Sequence, residues 1–415
     1  MVQSKGIIKS FLGVKILQLV FLGLSFAVII GLLAARRPLW QAFVGGMLAT
    51  AVLFRMPFSE IAGRTLGVLA DWDSLSILIS LYLITFLQRM LEKRDQITLA
   101  QRDLNGLFHN RRVNAAVSSM FIGLLPSAAA TILCGDMVKD ATEGYLAPDE
   151  QAFVTSWFRH IPETTLPTYS SVLLMAGLSG VALPKFMLGM LVPILVLLAL
   201  GWAVSLRKIP SDPGTPKSTN RARDALHLVQ HLWAFLAILV LMLAFDVSVV
   251  AAAALVLLAA AVVYRFRPAE LRPLVKSAFD RNLLLNTYLV LVFKEFIAYT
   301  GVLALLPDLL AKLPVPSDLV FALLFFVGGI ISGMNAIIAL GTPLAFAALD
   351  GGAPLMVLLM CMCHAASQLS PTHVCVVVAA EHFDIPLSRL IRRVLPVALV
   401  FCVLMVGYYN VLMLF

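Results

Sequence analysis

Three histidines, His160, His364 and His373, and one carboxylate, Glu163, lie inside long apolar runs of this chain. Imidazoles and a carboxylate in such surroundings can hold and pass protons or bind a cation. The residues around them are small and hydroxylated. The stretch HIPETTLPTY, 160 to 169, supplies Thr164, Thr165 and Thr168, and HAASQLSPTH, 364 to 373, supplies Ser367, Ser370 and Thr372. Both stretches read as a histidine, six residues and Pro-Thr, 204 positions apart. Two more polar interruptions, GLLPSAAATILCGD (123 to 136) and GGIISGMNAIIALGTP (328 to 343), set Pro126, Ser127, Ser332, Gly333 and Asn335 among apolar residues.

Prolines explain why these places are polar. Pro162 and Pro167 predict an unwound stretch over 162 to 167, and Pro371 predicts one over 367 to 370, with new helices starting near Thr168 and Thr372. A helix N-terminus carries unpaired N–H groups and a partial positive charge, and so attracts an anion. Pro126 and Gly333 mark the corresponding tips of two hairpins. In lipid, freed backbone groups must be enclosed by protein or line a wet cavity. The expected substrate contacts are therefore Pro126, Ser127, Thr164, Thr165, Thr168, Ser332, Gly333, Asn335, Ser367, Ser370, Thr372 and His373. Glu163, His160, His364 and Asn335 are the expected ion-coupling groups.

Other chemistries find less support. Cys134, Cys361, Cys363, Cys375 and Cys402 all sit in apolar segments without zinc or disulfide spacing, and neighbours in CMCH (361 to 364) point to different faces of a helix. No metal site and no cofactor is expected beyond Na+ or H+ as a coupling ion. There is no HExxH, GxSxG, paired catalytic aspartate or Walker A pattern. An intramembrane hydrolase built on Glu163 and the histidines, and a passive anion channel, remain as alternatives. Arg159 is a structural partner to weigh for Glu163. Lys294 and Glu295 point to different faces of one helix, Asp136 lies near a hairpin end, and Arg89 lies near a helix end.

The elements that position these groups are membrane helices. The chain is 60% hydrophobic and 13% charged, with a mean hydropathy of +0.94, far from the composition of soluble domains. Spans are predicted at about 11–34, 39–54, 73–92, 151–182, 186–206, 231–247, 248–264, 283–306, 353–380 and 394–415, with interrupted segments at 113–140 and 317–349. The expected fold is an all-α polytopic membrane protein of about ten transmembrane helices plus two re-entrant hairpins. The net charge of +8 reads as topology, with no nucleic-acid partner. Twenty basic residues fall in five segments (36–37, 93–112, 207–223, 265–281 and 389–393), all on one side of a ten-helix arrangement. That side is predicted cytoplasmic, placing both termini outside.

The linker RKIPSDPGTPKSTNRARD, 207 to 224, divides the chain almost in half. Arg55 and Glu60 match Arg265 and Glu270 at an offset of 210; Tyr82, Gly123 and Gly135 match Tyr288, Gly329 and Gly341 at 206; His160, Pro167 and Thr168 match His364, Pro371 and Thr372 at 204. Each half then crosses five times, and an odd number inverts the second copy. The predicted units are a first repeat at 1–206, with hairpin 113–140 and broken helix 151–182; a basic cytoplasmic linker at 207–230; and a second repeat at 231–415, with hairpin 317–349 and broken helix 353–380.

With these motifs the chain resembles the ion-transporter superfamily of divalent-anion/sodium symporters and citrate carriers. Its SQLSPTHVC stretch resembles a ten-helix prokaryotic family of unknown function. The resemblance implies a secondary active transporter of a small anionic metabolite, driven by protons or sodium, in the inner membrane. It also implies a mobile transport domain of hairpins and broken helices, and a homodimer held by the first two helices of each half. The symporters' Ser-Asn-Thr tip signature is replaced here by PSAA at 126 to 129 and SGMN at 332 to 335, so neither a dicarboxylate substrate nor a two-sodium stoichiometry carries over.

Overall fold

The computed structural model describes residues 2–96, 99–100, 110–123, 128–212, 220–371 and 373–414. The described residues form helices and connecting turns, and no strand occurs among them. The first half contains α1 (Val2–Ala34), α2 (Leu39–Leu53), α3 (Phe58–Ala70), α4 (Trp72–Lys93), a helical pair α5 (Arg111–Ile122) and α6 (Ala128–Thr142), and α7 (Pro148–Arg159) followed by α8 (Ser170–Ser179). It closes with α9 (Leu183–Gly189) and α10 (Leu191–Val204). The second half repeats the order as α11 (Arg221–Phe245), α12 (Val249–Val263), α13 (Pro268–Ala278) and α14 (Arg281–Thr300). After the short α15 (Leu306–Leu310) come the pair α16 (Ser317–Ser332) and α17 (Met334–Ala348), then α18 (Gly352–Leu369), α19 (Val374–His382) and α20 (Leu387–Leu412).

The chain is a multi-pass membrane protein. Seven helices are long and apolar enough to cross a bilayer, counting α9 with α10 as one. Other predicted spans are shorter: α2 and α12 have 15 residues each, a rise of about 22 Å against a hydrocarbon core of roughly 30 Å. Helices differ sharply in what they face. The best apolar window of α18 is 83% buried, that of α1 only 17%. α18 is therefore the interior of the bundle, while α1 offers Leu17, Val20 and Leu24 outward.

Some features of backbone geometry recur between the two halves of the chain. Left-handed residues occur in pairs at the offsets seen in the sequence: Arg36 with Asp246 and Arg55 with Arg265 at 210, Asp95 with Gly301 at 206, and Gly180 with Asp384 at 204. Packing is reciprocal as well. α4 packs on α12 while α14 packs on α2, and α6 packs on α19 while α17 packs on α8. Single bonds are reciprocal too: the Tyr82 hydroxyl donates to the Val275 carbonyl at 3.3 Å, and the Tyr288 hydroxyl to the Thr65 carbonyl at 2.7 Å. The paired helices α4 and α14 both start on an aspartate cap, Asp71 accepting from the Ser74 N–H at 2.9 Å and Asp280 from that of Leu283 at 3.0 Å.

Four of the five basic segments are joined by polar bonds. Arg94 forks onto Glu270 at 3.0 and 3.1 Å, and Arg112 donates to the Ile209 carbonyl at 2.6 Å. Lys208 and Arg393 both reach Glu150. The segments at 93–112, 207–223, 265–281 and 389–393 thus meet one another, as a shared side requires. Glu295, whose role was open in the sequence, pairs with Arg64 at 3.6 Å, joining α14 to α3.

Several boundaries differ from expectation. α18 continues through Ser367 to Leu369, so the second break begins at Ser370 and not at 367. Pro371 restricts the residue before it, and Ser370 is indeed extended, with ψ 121°; three residues further back the helix is undisturbed. The first break is wider than predicted: a 3₁₀ turn at Pro162–Thr164 lies between α7 and α8, and the new helix begins at Ser170, not Thr168. The helix after the second break begins at Val374. The 186–206 span is divided at Met190, between α9 and α10.

Candidate functional site

Two breaks and one hairpin tip meet around a cavity of about 250 Å³. Its walls include Glu163, Tyr169, Ser170 and Ser171 from the first break, Ser332, Gly333 and Asn335 from the second hairpin, and His373 from the second break. Leu33 and Leu39 close it from the first two helices. Gly333 alone links α16 to α17, at φ +85°, a conformation L side chains rarely adopt. This lets the chain reverse at the cavity without a longer loop.

At the cavity floor, Nε2 of His160 and Nε2 of His373 are 2.8 Å apart, with ring centroids at 4.8 Å. Glu163 Oε2 lies 3.7 Å from each of these nitrogens. The other ring nitrogen of His160 is 2.5 Å from the Ser156 carbonyl. A carbonyl only accepts, so Nδ1 of His160 carries the proton and Nε2 presents a lone pair. His373 then donates to it. His160 is fully buried, whereas Glu163 and His373 are partly open to the cavity. The Cys375 thiol lies against the His373 imidazole.

Behind this floor the two broken helices are laced together. The Ser156 hydroxyl donates to Gln368 Oε1 at 2.7 Å, and the Gln368 amide donates to the Trp157 carbonyl at 3.3 Å. Thr164 Oγ1 and His364 Nδ1 are 3.0 Å apart. The Tyr169 hydroxyl donates to the Gly123 carbonyl, tying the first hairpin to the first break. A Cβ at Gly123 would stand 2.3 Å from the Arg159 carbonyl oxygen, so only glycine permits that approach.

The predicted contacts divide into two groups. Glu163, Ser332, Gly333, Asn335 and His373 line the cavity, with His160 directly beneath. Thr164 and Thr165 are buried, bonded to His364 and to the Ile161 carbonyl. Ser367 donates to the His364 carbonyl at 2.8 Å within its own helix, and Ser370 to the Ile330 carbonyl at 2.8 Å. Thr168 is buried away from the cavity. These residues hold the framework. His364 is fully buried between the edges of Trp157 and Phe401, at 6.1 and 5.7 Å, and is no cavity residue. Pro126, Ser127 and Thr372 lie outside the described residues. Sequence reasoning missed Tyr169, Ser170, Ser171 and Cys375. The two serines stand three and four residues after Pro167, the second proline of the break, where the new helix starts.

The fold resembles that of a solved structure, the YdaH transporter of Alcanivorax borkumensis, described as having an unusual topology. The TM-score is 0.57 at 16% identity, over 87% of this chain and 88% of that one. No curated protein sequence matches the chain. Over residues 18–412, nearly its whole length, the chain belongs to the family described as "Protein of unknown function (DUF401)".

Proposed function

We propose that the protein is a secondary active transporter of a small anionic metabolite, driven by protons or sodium. The observation that carries this reading is the cavity between the first break and the second hairpin tip, with Glu163 facing two imidazoles at its floor. A substrate anion would lie at the N-terminus of α8, where Ser170 and Ser171 offer backbone N–H groups and Ser170 its hydroxyl, with Asn335 opposite. Glu163, His160 and His373 form a short relay whose proton content can change with occupancy, as coupling requires. Likeness of fold to a transporter agrees with this reading.

In the same proposal, residues 1–206 and 231–415 are inverted repeats about the linker at 207–230. The hairpins and broken helices move as an elevator against a scaffold of the first helices of each half, and two chains pair through that scaffold in the inner membrane. The linker is cytoplasmic and both termini are outside.

Reconstitution in liposomes tests the coupling. Glu163→Gln keeps the shape of the side chain and removes its titration. It should abolish accumulation against a gradient while retaining exchange of labelled substrate at equal pH. Accumulation with wild-type pH dependence would remove Glu163 from the mechanism. Candidate substrates come from a thermal-shift screen of organic and inorganic anions, each with and without sodium.

A further inference from the structure

We infer that the cavity floor is a binding site for a divalent transition metal of the zinc class, with His160, His373, Cys375 and Glu163 as its donors. This goes beyond the transport reading and does not depend on it; a metal held by Glu163, His160 and His373 would take the place of the proton relay proposed for those groups. The ligand atoms of His160, His373 and Cys375 all lie within 4.8 Å of one another. Glu163 Oε2 stands 3.7 Å from both imidazole nitrogens. A tetrahedral centre with bonds of about 2.0–2.3 Å holds its donors roughly 3.3–3.8 Å apart. Closure therefore needs the two imidazoles to part by about half an ångström and the thiol to approach by roughly one.

Protonation and charge also fit. The Ser156 carbonyl fixes the proton of His160 on Nδ1 and leaves the Nε2 lone pair aimed into the cluster. That is the outer contact by which metal-bound histidines are oriented. Two imidazoles, a thiol and a carboxylate suit Zn2+ or Co2+, whereas Mg2+ and Ca2+ take oxygen donors. On binding, Cys375 gives up its proton to solvent through the cavity. The thiolate and the Glu163 carboxylate then offset the charge of the dication, with the buried Arg159 guanidinium as a further positive charge beside the cluster. Entry is open, because Glu163 and His373 themselves line the cavity. The donors come from two breaks more than 200 residues apart, as His-x-x-Glu and His-x-Cys, so no local spacing in the sequence announces them.

The test uses the full chain in detergent, with any affinity tag removed, dialysed against Zn2+ and analysed for metal, with Co2+ as an optical probe. One zinc per chain is expected, with a tetrahedral cobalt spectrum carrying a thiolate-to-cobalt band. Cys375→Ser should abolish that band, and both it and His373→Gln should weaken zinc binding by at least about tenfold. Cys363→Ser, buried elsewhere, should change neither. Substoichiometric zinc, an octahedral cobalt spectrum without the thiolate band, or wild-type affinity in Cys375→Ser would each overturn the assignment. If the variants do not stay monodisperse, the wild-type cobalt spectrum decides alone. No transport is measured, so failure of the transport reading and failure of the metal site are separately visible.

Discussion

The two broken helices share their wording and differ in what they do. In the first, the chain leaves α7 at His160 and does not regain a helix until Ser170, so His160 and Glu163 turn toward the cavity. In the second, the helix runs on past His364, the repeat partner of His160, and leaves it packed between Trp157 and Phe401. The partners of His373 and Cys375 diverge similarly: Tyr169 is tied to Gly123, and Ser171 donates to the Glu163 carbonyl at 3.1 Å. The number of prolines accounts for this. Pro162 and Pro167 together keep ten residues out of regular helix, whereas Pro371 alone displaces only its neighbours. The proposed site lies where the two similar stretches differ.

Breaking the comparison at its centre should give the largest effect. His160→Gln should reduce uptake by at least about tenfold, as loss of a positioned proton carrier does. His364→Gln should leave uptake per folded molecule near wild type and lower stability by about 1–3 kcal/mol, as disruption of a buried polar contact does. Equal losses of uptake in proteoliposomes would show that the copies are functionally equivalent after all.

The hairpin seats sharpen it next. Gly123→Ala places a methyl group against a backbone carbonyl, while Gly329→Ala meets the Cβ of Ala366 at 2.7 Å. Both should destabilise by about 1–3 kcal/mol, Gly123→Ala more, read as melting temperature in detergent. On α4 and α14, where the two hydroxyl bonds match, Tyr82→Phe and Tyr288→Phe should each lose about 0.5–1.5 kcal/mol. Losses that differ beyond that range would deny the reciprocity of these two bonds.

The smallest effect concerns charge. The Arg94 guanidinium beside Glu270 holds its carboxyl down at about 2. A depressed carboxylate contributes stability that is fully present above its unfolded value near 4.5 and fades as pH falls toward 2. Glu270→Gln should flatten the melting temperature between pH 4.5 and 3 relative to wild type. Since this pair is at the surface, the difference should be modest. Glu60, its repeat partner, is bound instead by Arg64 at 3.1 Å within its own helix.

Much of the frame was legible in the residues. Long apolar runs can do nothing but span lipid as helices, because backbone groups there must bond within their own segment. Gly333 marked the turn between α16 and α17, Pro162, Pro167 and Pro371 marked the two breaks, and the offsets of 210, 206 and 204 recur in left-handed residues of the structure. What the sequence left open was which side chains meet. His160 and His373 touch across 213 positions, a helix that runs three residues past expectation kept Ser367 helical and buried, and Trp157 and Phe401 pack around His364. Local composition determines where a helix can break. Whether the freed residues face a cavity depends on how many residues stay unwound and which helix packs against them, and only the tertiary structure decides that.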